Sequence, residues 1–133
     1  NDEGYKMSTI QIVESKDAPA AVGPYSQATI LNGIVYTSGQ LGLIPATGEF
    51  PADNAAAQAE QALQNLKAVL AEAGTDISKV AKTLIFLADM KDFAAVNEVY
   101  ASHFSAPYPA RSCVQAAALP LGAKVEIEAI AVI

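Results

Sequence analysis

Tryptophan is absent from this 133-residue chain, and cysteine, histidine and arginine each occur once. A lone Cys113 closes no internal disulfide, so no disulfide framework holds the fold. Structural zinc sites usually take several Cys or His ligands, and one of each does not supply them. A metal centre would then need a carboxylate cluster, and the sequence shows none, so no metal is expected. One cysteine leaves the redox compartment open. The cytosol is the simpler expectation, with a mitochondrial location as an alternative.

Long hydrophobic runs are missing as well. Hydrophobic residues make up 52% of the chain, yet no stretch approaches the roughly 20 apolar residues of a membrane span. The start lacks the basic, apolar, small-residue order of a secretory signal, and no membrane partner is expected. Positive charge is scarce: 8 Lys and Arg stand against 14 Asp and Glu, for a formal net charge of −6. Nucleic-acid surfaces need clustered Lys and Arg, and here they are scattered, so nucleic acid is not an expected partner.

What is present reads as one domain. The segment NDEGYK precedes Met7 and is read as an extension outside the fold, which leaves residues 7–133 as the domain. TIQIVES alternates as a strand does. SQATILNGIVYTSG is a hairpin, with Asn32-Gly33 as its turn. A helix is expected from about Asp53, its N-cap, to Ala73, with Gly74 past its end. Ala59, Ala62, Leu63, Leu66, Val69, Leu70 and Ala73 form its apolar stripe. Gln58, Gln61, Gln64 and Lys67 are placed largely off that stripe. VAKTLIFLA is a strand. A second helix starts near Asp92, with Phe93, Val96, Tyr100 and Phe104 facing inward. SCVQAAA and KVEIEAIAVI are closing strands about a Leu-Pro-Leu-Gly turn.

The order βββαβαββ implies an α+β fold, with one mixed sheet and two helices on one face. The second sheet face cannot be wholly wet. Val125, Ile127, Ala129, Ala131 and Ile133 point one way, while Glu126, Glu128, Ile130 and Val132 point the other. That second face is polar at its start and apolar at its end. A homo-oligomer packed through its sheets would cover it; a loop of the same chain is the alternative.

Several residues could carry chemistry. Arg111 follows Pro107 and Pro109, which stiffen its approach. Its planar fork matches a carboxylate or a phosphate, although a surface ion pair would use the same group. Cys113 shares its strand face with Arg111. It is either a nucleophile, with His103 as the available base, or a buried unreactive thiol, the simpler reading. Glu126 and Glu128 share a face that turns apolar, which makes Glu126 a candidate general base as well as a candidate solvated strand end. Tyr25 in GPYSQ and Ser38 in TSGQ offer hydroxyls, and Gly39 allows close backbone approach. Asn97 is most simply a hydrogen-bonding residue of the second helix.

Taken together, APAAVGPYSQA, VYTSGQL, TGEF, QALQNLKAVLAEAG, VAKTLIFLADMKDFAAVNEVY, PARSCV and VEIEAIA resemble the RidA (YjgF) family, from Ile10 to the C-terminus. The resemblance implies a chorismate-mutase-like fold, a homotrimer and sites in the clefts between subunits. It implies hydrolysis of 2-iminobutanoate and 2-iminopropanoate, unstable products of pyridoxal-phosphate enzymes, to 2-oxo acids and ammonia, without cofactor or metal. By the same resemblance Arg111 binds the substrate carboxylate and Glu126 positions or activates water. Tyr25, Ser38, Gly39, Asn97 and Cys113 line the pocket, Cys113 through its backbone amide more than its thiol. Endoribonuclease or translation-inhibitor activity, and non-catalytic regulatory or chaperone-like binding, are the alternatives that some relatives suggest.

Overall fold

The computed structural model describes residues 9–133. The extension assigned to residues 1–6 and the domain start at Met7 lie outside the described residues. The strands and α-helices of the described residues are, in chain order, β1 (Gln11–Val13), β2 (Ala28–Leu31), β3 (Ile34–Thr37), β4 (Gln40–Leu41), α1 (Ala55–Glu72), β5 (Val80–Leu87), α2 (Phe93–His103), β6 (Ala110–Gln115) and β7 (Val125–Val132). The expected order omitted β4. With two residues it is too short to show a period of two in sequence, and it exists because it pairs with β7.

The strands form one seven-stranded sheet in the order β1-β2-β3-β7-β5-β6, with β4 also paired to β7. Among the described strands only β5 and β6 run parallel; their connection passes through α2, as parallel neighbours require. β7 is the central strand. It pairs with β4 through Glu126 and Ile127, with β3 through Ile130–Val132, and with β5 along its other edge. The β2–β3 hairpin turns at Asn32 and Gly33, both at positive φ (52° and 75°), the conformation a two-residue primed turn demands.

Helix α1 starts one residue later than expected. Asn54, not Asp53, is its N-cap; the Asn54 side chain accepts from the Ala57 N–H at 2.8 Å. At the other end Gly74 takes φ 87°, and the Thr75 N–H closes onto Leu70 O at 3.0 Å. Every residue of the expected stripe is buried, and Leu63, Leu66 and Leu70 are fully enclosed with Ile85, Leu87, Val125 and Ile127. Burying each large aliphatic side chain contributes about 1.5–3 kcal/mol. Gln58 departs from the expectation. It is buried because its amide donates to Ala52 O and its oxygen accepts from the Lys124 N–H, which ties α1 to the start of β7. Buried Asn65 does the same for β4 and the loop after it, donating to Leu41 O and Leu43 O.

Helix α2 buries Val96, Tyr100 and its C-terminal neighbour Phe104. Phe93, expected inside, is the first residue of the helix and is 38% exposed. The helices cover one face of the sheet. On that face lie Val125, Ile127, Ala129 and Ala131, all buried, whereas Ile133 lies past the strand end and is exposed. Register places Ile12, Thr29, Tyr36 and Ile130 in one row on the opposite face. Ile12, Tyr36 and Ile130 of that row are exposed, as are Val114 and Val132 on the same face.

Candidate functional site

β6 runs along the sheet edge and carries Arg111 and Cys113. In parallel register Arg111 pairs with Thr83 and Cys113 with Ile85; across β5 these pair with Ala129 and Ile127. Side chains of paired residues leave the same sheet face. Arg111 and Cys113 are therefore on the helix-covered face, together, as alternation implied.

α2 meets Arg111 there. Asn97 Oδ1 accepts from Arg111 Nη1 at 2.7 Å. The Arg111 Cζ stands 4.9 Å from the Tyr100 ring centroid and 5.7 Å from that of Phe93. No salt bridge holds the guanidinium among the described residues, so most of its donors remain for a ligand. Sequence reasoning placed Phe93 and Tyr100 in the core and missed their contact with Arg111. The available signal was their spacing with Asn97, which puts all three on one stripe of α2.

Cys113 packs against the core. Burial raises its thiol pKa, against a smaller opposing pull from Arg111, so the thiolate needed for nucleophilic attack is disfavoured. His103 does not serve it. The His103 Nε2 lies 2.8 Å from Glu60 Oε1 on α1, in an interhelix pair.

Glu126 belongs to the other side of the sheet. It pairs with Leu41 of β4 and Phe86 of β5, and Phe86 pairs with Val114. Glu126 thus stands in an apolar row on the open face. Burial, and then the charge of Glu128, push its carboxyl above the ordinary range. Gly39 lies directly against it: a Cβ there would overlap Glu126 Oε2, so only glycine leaves the carboxylate its place. Ser38 is fixed beside Gly39 by two bonds, its N–H to Gln27 O at 2.8 Å and its hydroxyl to Ser26 O at 2.6 Å. Tyr25 precedes this segment; its ring is half exposed and its hydroxyl accepts from the Val22 N–H at 3.3 Å.

Six of the seven sequence-derived residues therefore fall into two groups, while Tyr25 lies in the loop before β2. Arg111, Asn97 and Cys113 gather at the β6–α2 side, and Glu126 with Gly39 and Ser38 on the open face. Arg111 and Glu126 leave opposite faces of one sheet, so a single chain does not bring them to one small substrate. Among the described residues no group of three or more His, Cys, Asp or Glu side chains could hold a metal ion. No described helix is long and apolar enough to cross a membrane.

Comparison with known proteins adds an independent line. The family model for Endoribonuclease L-PSP matches residues 15–133. The chain is 55% identical to the RutC family protein y4sK of Sinorhizobium fredii, over 91% of this chain and 96% of that one. It is 48% identical to the 2-iminobutanoate/2-iminopropanoate deaminase of Capra hircus, over 92% of this chain and 89% of that one. The crystal structure of Escherichia coli TdcF with bound serine superposes with a TM-score of 0.86 at 46% identity, covering 92% of this chain and 98% of that one. Sequence motifs, sheet topology and these matches agree: the chain belongs to the Endoribonuclease L-PSP family, the RidA/YjgF family.

Proposed function

We propose that this protein hydrolyses 2-imino acids such as 2-iminobutanoate and 2-iminopropanoate to 2-oxo acids and ammonia, working as a homotrimer with its sites between subunits. The observation that carries the reading is Arg111, held by Asn97 and two rings with most of its donors free. Its relatives named for deaminase activity support the substrate class. The small substrate has a carboxylate next to its C=N carbon, and a fixed guanidinium is the partner such a group needs.

The chemistry follows from those two groups. Arg111 binds the carboxylate and sets the C=N carbon in place; such positioning can remove several kcal/mol, up to about 7–11, from a barrier. The protonated iminium is already electrophilic, so no covalent nucleophile is required, in keeping with the unactivated Cys113 thiol. Glu126 takes a proton from the attacking water as the new C–O bond forms. Glu126 returns that proton to the carbinolamine nitrogen, the C–N bond breaks to release ammonia, and the hydroxyl gives its proton to solvent as the C=O of the 2-oxo acid forms. Tyr25, Ser38 and Gly39 line the water side, and Cys113 offers its backbone amide to the carboxylate side.

The opposite placement of Arg111 and Glu126 supports a site shared by two copies, Arg111 from one and Glu126 from its neighbour. The exposed apolar row Ile12, Tyr36 and Ile130 supports sheet-to-sheet packing. The ribonuclease reading lacks a comparable constellation, since His103 is engaged by Glu60.

Imine loss is measured with a coupled dehydratase and semicarbazide as the competing trap. Arg111→Ala and Glu126→Gln should each be inactive. Unfolded together and refolded as a 1:1 mixture, they should regain about a quarter of wild-type turnover, because one site in four then combines two intact halves. Full activity of Arg111→Ala alone rejects the reaction as proposed; inactive variants with no recovery on mixing reject the shared site. RNA affinity that falls steeply with salt would favour the ribonuclease reading instead.

A further inference from the structure

An arginine that grips a carboxylate must itself be held, because its long side chain loses rotamer freedom when it binds. One helix supplies that hold. Phe93, Asn97 and Tyr100 recur at i, i+4 and i+7 along α2, and each meets the Arg111 guanidinium. The two rings differ in how firmly they are placed. Phe93 is 38% exposed and Tyr100 only 5%. Tyr100 stacks on Phe104 with centroids 4.3 Å apart. Its hydroxyl lies 2.8 Å from Thr83 Oγ1, a buried pair. Thr83 is the register partner of Arg111. The strand position beside the Arg111 backbone thus anchors the ring that meets the Arg111 head.

We propose that Tyr100 is a positioning residue for Arg111, fixed by the Thr83–Tyr100 hydroxyl pair. The inference rests on Arg111 being the carboxylate clamp. The ring face attracts the cation without accepting an N–H, so it steadies the fork and leaves its donors free. A carboxylate in the same place would occupy two donors and cancel the charge that the substrate needs. Asn97 takes a single donor and sets the rotation of the plane. The three contacts together hold the group while only one of its N–H donors is taken up, leaving the others for the ligand.

The test uses 2-oxobutanoate, a stable product, titrated calorimetrically into the full-length protein. Tyr100→Leu removes the ring and should weaken binding about tenfold. Tyr100→Phe and Thr83→Val keep the ring but untie the hydroxyl pair, and should each weaken binding about threefold. In an Arg111→Ala background none of the three should weaken binding further. A packing role alone would lower the melting temperature without that dependence on Arg111. Unchanged affinity in a folded Tyr100→Leu, or the same loss with and without Arg111, overturns the proposal. If Tyr100→Leu does not fold, Thr83→Val decides on the same criterion. Unchanged affinity in Arg111→Ala overturns the clamp itself, and the positioning role with it.

Discussion

Burial among apolar neighbours, and then the charge of Glu128, favour a proton on Glu126. As a base Glu126 must be ionised, so activity should fall on the acid side as pH drops through its raised pKa. Glu128→Gln removes one of the two causes, and the acid limb of kcat/KM should move to lower pH while the basic side stays in place. The sign for stability is opposite. Because the folded-state pKa is raised, the favourable contribution is full below the unfolded value, near 4.5, and is lost as pH rises through the folded one. Glu126→Gln should therefore have a higher melting temperature than wild type at pH 7, with the difference vanishing in acid. A lower melting temperature at pH 7 would mean that the carboxylate holds local structure. Arg111 poses the complementary question of geometry. Arg111→Lys keeps the charge but loses the fork that Asn97 and Tyr100 orient, which is why a charge count alone says little about the site.

Among the elements, α1 shows how polar side chains fix a fold. Asn65 joins it to β4 and the following loop through two carbonyls. Asn65→Leu should cost about 2–3 kcal/mol, since both acceptors stay inside without their donor. The check is a lower denaturant midpoint at unchanged slope. That link was invisible in the sequence. The apolar stripe from Ala59 to Ala73 declares itself by spacing, and Asn32-Gly33 by its local turn chemistry. The burial of Gln58 and Asn65 depends on backbone groups 66 and 22–24 residues away that bond to them. β4 is hidden for the same reason, being defined by its partner on β7. The site divides likewise. Alternation within β6 puts Arg111 beside Cys113, but comparing β6 with β7 requires the register through β5. The motifs therefore named Arg111 and Glu126 without revealing that they leave opposite faces.

At the scale of the whole molecule, the open sheet face is the feature still to be satisfied. Tyr36 and Ile130 are cross-strand partners on it, 40% and 37% exposed in the single chain. Under the proposed trimer Ile130→Glu would bury an unpaired charge at the subunit contact. Sedimentation should then show a smaller species than wild type, with imine turnover lost although Arg111 and Glu126 are untouched. A trimer of normal activity would place the contact elsewhere. The division of Arg111 and Glu126 across the sheet has one more consequence. A newly made chain would be catalytically silent until it meets its copies, so turnover per chain would rise with abundance. Under the proposed shared site, halving expression near the assembly threshold would then cost more than half the turnover, and a defective chain would either silence a sound one or be rescued by a chain with a different defect.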